Sequence, residues 1–399
     1  MDRPAFRIDP PAFLRDPAVA AVLAVLPEAR AVGGCVRDAL AGLPVADVDL
    51  ATPRLPEDVT AALRAAGITV VPTGLAHGTV TAVVTARPIE ITTLRRDVAT
   101  DGRHATIAFT TDWHEDAARR DFTINAMSMD AEGQVWDWFG GREDLARGVV
   151  RFVGDPATRL GEDYLRALRF FRFHARYGRG APDAAALAAI RAAVPGLAIL
   201  SAERVWSELK RILAAPDPRD AVRLMAETGV LAAVLPEAAA PARLDALVAA
   251  GAPADPLLRL AALCPGVDAA RLAGRLRLSG ADAVTLATLA EPAPEGDERV
   301  WRAALAARGA EALTAAAWLA EAEGRPGDWA SRRAWLAATP RPVFPLRGAD
   351  VLAEGVAPGP RVGEVLAALE RRWAAAGCRD DAATVRRWLR EMLAASTGA

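Results

Sequence analysis

Strand-forming signals in this chain stop near residue 150, and that boundary constrains the fold more than any other feature. Before it, short β-branched runs alternate with turn residues at Arg30–Gly33, Val48–Ala51, Val70–Val71, Thr79–Thr85 and Ile89–Thr93. Such runs suit a pleated, half-buried surface. Helical patterns lie between them at Val36–Ala41 and Pro56–Ala66, the second closed by Gly67. Only Ala86-Arg87-Pro88 separates the last two runs, so they are expected to pair as an antiparallel hairpin. From about Asp155 onward, Ala, Leu and Arg recur at helical spacing. Loop chemistry punctuates them at Pro195-Gly196, Ala215–Pro218, Pro265-Gly266, Glu291–Gly296, Pro340–Pro345 and Pro358–Pro360. No fixed period repeats, so a solenoid is not expected. The expected fold class is α+β: a small mixed-sheet head followed by an all-helical remainder.

A chain of 399 residues exceeds the size at which one core stops growing, roughly 250 to 300 residues, so more than one domain is expected. No apolar run is long enough to span a bilayer, and the N-terminal MDRPAFRIDP lacks a signal-peptide pattern. The cysteines Cys35, Cys264 and Cys378 are odd in number and far apart, which argues against a disulfide framework or a zinc site and fits a reducing cytoplasm. Cys35 has no histidine beside it and reads as a small packing residue. The net charge of −2 does not advertise a nucleic-acid binder, although a whole-chain value can conceal local patches. Lys210 is the only lysine, so phosphate contacts must come from arginines, helix N-termini and hydroxyls.

The chemistry concentrates in Ala31–Thr52, AVGGCVRDALAGLPVADVDLAT. In a strand, Asp47 and Asp49 share the face opposite Val48. Two carboxylates on one face, with no lysine or Cys/His cluster nearby, suit a hard cation such as Mg²⁺. Gly33 and Gly34 let a phosphate approach the backbone closely, and Arg37 follows directly. Together these point to metal-assisted phosphoryl or nucleotidyl transfer. Glu90, in PIEITTLRRD, is the candidate third carboxylate, in contact with the metal or one layer behind it.

This segment resembles the class II tRNA nucleotidyltransferase and poly(A) polymerase family, of the polymerase-β-like superfamily. The family signature G-G-x-V-R-D, L-x-G, D-x-D is carried here by Gly33, Gly34, Val36, Arg37, Asp38, Leu40, Gly42, Asp47 and Asp49. The family string R-R-D-F-T-I-N-A stands complete at Arg119–Ala126. By local chemistry, Asp121 and Thr123 are expected to cap a following helix, and Arg120 can reach a triphosphate. The pattern E-D-x-x-R-x-x-R-x-x-R is met by Glu162, Asp163, Arg166, Arg169 and Arg172. On one helix, Asp163 and Arg166 are neighbours and can offer a planar acceptor–donor edge. Cytosine and adenine share the complementary edge, an amino donor beside a ring-nitrogen acceptor. Three-residue steps drift round a helix, so Arg169 and Arg172 read as phosphate or neck-packing groups; the resemblance assigns them to the nucleotide site.

The resemblance implies a head at residues 1–150, a helical neck with a nucleobase-reading helix at 151–215, and a tRNA-binding body and tail at 216–399. It implies a Mg²⁺-dependent enzyme that adds C, C and A to the tRNA 3′ end from CTP and ATP. Asp47 and Asp49 would be the metal ligands, and Gly33, Gly34, Arg37 and Arg120 the triphosphate contacts. The polar Arg95–Ile107 segment reads as a mobile loop and resembles the one that helps such enzymes switch nucleotide. His77 and His104 have no metal-ligand spacing. Ser201 can cap the next helix, with Glu203 and Arg204 bracing the neck, and PLRGADVLAEGVAPGPRVGEVLAALERRW resembles the tRNA-receiving tail. A poly(A) polymerase would keep the same head and neck, but its basic G-R-R-F segment is not evident at Val71–Val80. An A-only or CC-only enzyme also stays open, as does an inactive RNA-binding module, against which the intact Asp47 and Asp49 weigh. No His-Asp phosphohydrolase motif follows the neck, and no membrane or protein partner is expected.

Overall fold

The computed structural model describes residues 3–100 and 105–397. Two compact units divide the chain, Met1–Pro236 and Glu237–Ala399. The strands of the first unit are β1 (Phe6–Arg7), β2 (Arg30–Val32), β3 (Asp49–Thr52), β4 (Thr69–Gly74), β5 (Thr79–Val84), β6 (Arg87–Thr93), β7 (Arg95–Thr100), β8 (Ala105–Phe109), β9 (Ser128–Met129) and β10 (Gln134–Trp136). Eight of them form one sheet in the order β1-β10-β9-β2-β3-β6-β5-β4, while β7 and β8 pair separately. The sheet is mixed because β3 and β6 run parallel, whereas its other strand pairs are antiparallel.

Period-2 alternation places the core on one face of the sheet. Leu50, Ile89, Ile91, Val80 and Ala82 are buried, while Asp49 and Glu90 are exposed between them. The Pro17–Val25 and Pro56–Ala65 helices pack on β4–β6. The hairpin between β5 and β6 turns at Thr85-Ala86, one residue earlier than the Ala86–Pro88 segment singled out in the sequence. Both turn residues carry positive φ, 48° and 65°, the sign a two-residue type I′ hairpin requires.

Helices follow the head, as the composition indicates. Within the first unit, Pro156–Glu162 and Leu165–Tyr177 are separated at Asp163, and Ala184–Ala193, Ala202–Leu213 and Arg219–Thr228 pack around them. Asp155 caps the first by accepting from the Thr158 N–H at 2.8 Å. Ser201 caps Ala202–Leu213 through the Arg204 N–H at 3.4 Å, as expected. The Leu165–Tyr177 helix buries Leu168, Phe170, Phe171, Phe173 and Tyr177 and turns Arg166, Arg169 and Arg172 to the other side. Its rings interlock with the end of the head: Phe122 lies 4.8 Å from Phe152 and 5.3 Å from Phe173 between centroids.

Among the described residues of the second unit, helices joined by turns and loops are the regular secondary structure. Its long Glu298–Ala322 element is interrupted at Gly309, whose φ of 81° is not helical. The C-terminal stretch forms Gly348–Ala353, a Gly/Pro turn and then Pro360–Ala375, around a core that includes Val351, Val365, Leu369 and Trp373. No helix among the described residues is long and apolar enough to cross a membrane.

Candidate active site

Strand register builds the acidic face. Asp49 is the first residue of β3 and lies opposite Glu90 of β6, which in turn lies opposite Thr81 of β5. Asp47 precedes the strand rather than belonging to it, yet Asp47 and Asp49 are both exposed and Val48 between them is buried. Although Asp49 reaches solvent, the protein around its carboxylate strips away part of its hydration and raises its pKa; the neighbouring charge of Glu90 raises it further, Arg120 opposes, and Asp47 adds to the rise. Like charges gathered without enough counter-charge hold an unfavourable electrostatic state that a cation relieves. Among the described residues, no group of three or more His, Cys, Asp or Glu side chains is arranged to hold a metal by itself.

Gly33 ends β2 and begins the Gly34–Leu40 helix. Its φ of 71° and ψ of −121° lie where a side chain is strained. A Cβ placed there would also sit 3.1 Å from Arg120 Nη1, so Arg120 lies directly against the glycine turn. Arg120 is held from two sides: Nη2 donates to Asp116 Oδ2 at 3.0 Å, and Nη1 to the Asn125 carbonyl at 3.4 Å. Cys35 is buried next to the turn, and burial pushes its thiol up to about 11, which agrees with a packing role.

Arg37 faces inward, only 8% exposed. Nη1 donates to Asn125 Oδ1 at 2.5 Å and Nε to Asp38 Oδ1 at 3.0 Å, and the guanidinium lies over Phe173 and Tyr177 at 5.1 and 4.6 Å. Tyr177 donates to the same Asp38. Arg37 therefore joins the Gly34–Leu40 helix to the Leu165–Tyr177 helix.

The R-R-D-F-T-I-N-A string does not cap a helix through Asp121 or Thr123. A short 3-10 turn, Thr123–Asn125, follows with Phe122 at its cap position and no side-chain cap. Tertiary partners compete successfully for both groups. Asp121 Oδ2 accepts from Arg169 Nε at 2.7 Å, its Oδ1 accepts from Asn125 Nδ2 at 3.0 Å, and Thr123 donates to Asp144 at 2.6 Å. Burial works to raise the Asp121 pKa, but Arg169, Asn125 and the Phe122 N–H outweigh it and hold the carboxylate below its ordinary range. Asn125 thus links Arg37, Arg120 and Asp121. Neither Asn125 nor Asp116 was singled out in the sequence. Asn125 stood inside the matched string, and Asp116 stands three and four residues before Arg119 and Arg120, a helical ion-pair spacing that could have found it.

The expected planar pair between Asp163 and Arg166 is not formed. Asp163 is no helical residue; its φ of −158° and ψ of 107° end the Pro156–Glu162 helix. Its Oδ1 accepts from the Leu165 N–H at 3.0 Å and its Oδ2 from Arg204 Nη2 at 2.7 Å. Arg166 pairs with Glu162 and donates to the Arg159 carbonyl at 2.9 Å and the Arg119 carbonyl at 3.4 Å. The two residues are linked only through the backbone, where the Arg166 N–H donates to the Asp163 carbonyl at 3.0 Å. Arg204 braces the neck through Asp163, whereas Glu203 is exposed.

Arg169 and Arg172 meet the neck. Arg172 Nη1 donates to the buried Glu208 Oε1 at 3.1 Å, and Arg169 Nη1 lies 4.0 Å from the same oxygen. Burial and the like charge of Arg169 lower Arg172 to about 10 despite Glu208. The Arg95–Ile107 segment, read as a mobile loop, is mostly strand: β7 takes Arg95–Thr100 and β8 begins at Ala105, paired antiparallel, while residues 101–104, His104 included, lie outside the described residues. His77 lies in the Leu75–His77 turn, where its carbonyl accepts from Arg95.

Comparison with known proteins gives a consistent result. Residues 29–151 match the family described as Poly A polymerase head domain, and residues 181–240 match the one described as Probable RNA and SrmB-binding site of polymerase A. The chain is 35% identical to the mitochondrial CCA tRNA nucleotidyltransferase 1 of Mus musculus over 379 residues, 88% of this chain and 84% of that protein. It is 46% identical to the Danio rerio protein of the same name over 206 residues, a match spanning about half of each, 51% and 48%. The Bacillus stearothermophilus CCA-adding enzyme, solved in complex with CTP, superposes with a TM-score of 0.73 at 28% identity, covering 96% of this chain and 99% of that one.

Proposed function

This chain belongs to the class II CCA-adding enzyme and poly(A) polymerase family, and from that premise we propose that it adds C, C and A to the 3′ end of tRNA. CTP and ATP are the donors, and no nucleic-acid template is used. The names of the mouse and zebrafish relatives and the CTP in the Bacillus complex support the substrates. The observation that carries the reading is the juxtaposition of Asp49 and Glu90 with Arg120 against the Gly33 turn. Oxygen donors for a metal beside a guanidinium for a phosphate are the groups a metal-bound triphosphate requires, which supports the reading.

The donor set fits Mg²⁺. Asp47, Asp49 and Glu90 offer oxygen alone, and the pKa of Asp49 is raised first by desolvation and then by the like charge of Glu90, which a bound cation would offset. Mg²⁺ binds through one or two carboxylates and completes its shell with phosphate and water, which suits a site without a protein cage. Asp47 and Asp49 would hold the ion, with Glu90 beside them. When bound, it supplies Lewis-acid stabilisation of the charge developing on the transferred phosphoryl group and on pyrophosphate.

The remaining work falls to the chain's own groups. Gly33 and Gly34 leave room for the triphosphate at the backbone, and Arg120 donates to it. Arg37 acts from behind, holding the glycine-led helix against the neck. Asp163 and Arg166 read the base. To do so, Asp163 exchanges Arg204, and Arg166 exchanges Glu162, for the amino group and ring nitrogen that cytosine and adenine share. Arg169 and Arg172 support this by fixing Asp121 and Glu208. The helical remainder receives tRNA. The free buried thiols of Cys35, Cys264 and Cys378 support a reducing compartment, which we take to be the cytoplasm.

The deciding experiment presents purified protein with tRNAs ending at each 3′ stage and single labelled nucleotides, followed by sequencing of the products. Stepwise C, C and A on the appropriate acceptors is the expected result. Long adenylate tracts, or addition that halts after CC or starts only at A, would replace this reading with poly(A) polymerase or a partial enzyme.

A further inference from the structure

Asp116, in the Trp113–Ala118 helix, is 3% exposed and is surrounded by donors. Its Oδ1 accepts from Arg119 Nε at 2.9 Å, Arg119 Nη2 at 2.8 Å and the Arg95 backbone N–H at 3.3 Å. Its Oδ2 accepts from Arg120 Nη2 at 3.0 Å. We propose that Asp116 is a positioning residue for the triphosphate end of the site, setting the Arg120 guanidinium against Gly33. The proposal rests on the reading that Arg120 meets the nucleotide.

The physical argument has three parts. A guanidinium on a long side chain loses affinity for a phosphate unless its rotamers are already restricted, and a bound carboxylate restricts them. One carboxylate between two arginines leaves a net positive charge, so Asp116 orients Arg120 without cancelling the attraction for a triphosphate. Charge-assisted hydrogen bonds at a nearly buried carboxylate are also stronger than exposed ones. Burial alone would raise the Asp116 pKa, but Arg120 and Arg119 outweigh it and hold the group ionised below the usual aspartate range. Oδ1, which holds Arg119, also accepts the Arg95 N–H, so the root of β7 and the arginine pair share one carboxylate.

The test compares Asp116→Asn, Asp116→Glu, Arg120→Ala and the double variant Asp116→Asn/Arg120→Ala. CTP affinity is measured by calorimetry, KM and kcat on tRNA lacking its terminal CCA, and folding by thermal melting. Asp116→Asn keeps the shape but loses the charge, so CTP Kd and KM should rise by roughly tenfold or more while kcat falls less. The double variant should bind CTP no more weakly than Arg120→Ala, because Asp116 acts through Arg120. Parental affinity in Asp116→Asn, or effects of the two changes that multiply, would overturn the proposal. If Arg120→Ala itself binds CTP like the parent, the nucleotide reading of Arg120 fails and the proposal with it. Weak binding by Arg120→Ala beside parental binding by Asp116→Asn refutes the positioning role alone. Should Asp116→Asn not fold, Asp116→Glu decides. It keeps the charge and moves it by one methylene, so weakened CTP binding at a parental melting temperature supports the role and unchanged binding refutes it.

Discussion

At the residue scale, the acidic face sets function against stability. Asp49 has a folded-state pKa raised by partial desolvation and by Glu90. The sign follows from linkage: a carboxyl whose pKa is raised on folding favours the native state when protonated, at low pH, and that contribution is lost as pH rises through the folded pKa. At neutral pH the ionised Asp49 therefore opposes folding when no cation is present. Asp49→Asn is expected to raise the melting temperature of metal-free protein at pH 7 while abolishing nucleotide transfer; a lowered melting temperature would contradict the electrostatic account. Base reading makes a second expectation. Asp163→Ala removes an acceptor and leaves Arg204 without its partner, and Arg166→Ala removes the donor. Losing a charged hydrogen bond costs about 1.5–3 kcal/mol, so discrimination against UTP and GTP should fall roughly ten- to a hundredfold. Measured kcat/KM for all four nucleotides checks this, and parental preference in both variants would place the selection elsewhere.

At the scale of elements, the β5–β6 hairpin carries strain that its sequence does not relieve. Thr85 and Ala86 both adopt positive φ, which costs a residue with a Cβ about 1–2 kcal/mol and glycine little. Replacing the pair by Asn-Gly should stabilise the protein by about 1–2 kcal/mol in denaturant melts with transfer activity unchanged. The join between the R-R-D-F-T-I-N-A string and the Leu165–Tyr177 helix is electrostatic as well as aromatic. Despite the opposing effect of burial, Arg169 and Asn125 depress the Asp121 pKa. A depressed acid contributes stability above its unfolded pKa, about 3.9, and loses it as pH falls through the lower folded value. Acid unfolding followed by circular dichroism should show this loss in the parent. Asp121→Asn should be less stable at neutral pH and have a shallower acid dependence.

At the scale of the whole molecule, the proposed tRNA substrate must be bound by a chain whose net charge is −2. Binding then depends on local arginine clusters rather than on the total. Counterion release makes log K fall linearly with log salt, with a slope of roughly −0.7 to −0.9 per phosphate neutralised. tRNA affinity measured by filter binding or anisotropy between low and moderate salt should therefore drop steeply. A flat response would exclude phosphate contacts as the main source of affinity.

Local chemistry made much of this legible in the chain. The loss of β-branched runs near residue 150 marked the mixed-sheet head and the helical remainder, because pleat and helix periods are local properties. Gly33, the Asp47–Asp49 spacing and the Ser201 cap were visible for the same reason. What the tertiary structure decided is which partner each charged group takes. Asp163 and Arg166 looked like a pair by helical spacing, but a helix break at Asp163 gives one to Arg204 and the other to Glu162. Asp121 and Thr123 looked like caps, but Arg169 and Asp144 claim them. Asn125 acquires its role only when the fold brings Arg37 to it across 88 residues, whereas Asp116 meets Arg119 and Arg120 at local helical spacing and needs the fold only for its burial and for the Arg95 N–H. An arginine reaches many carboxylates along the chain, and burial and geometry, which no local pattern encodes, select the one it binds.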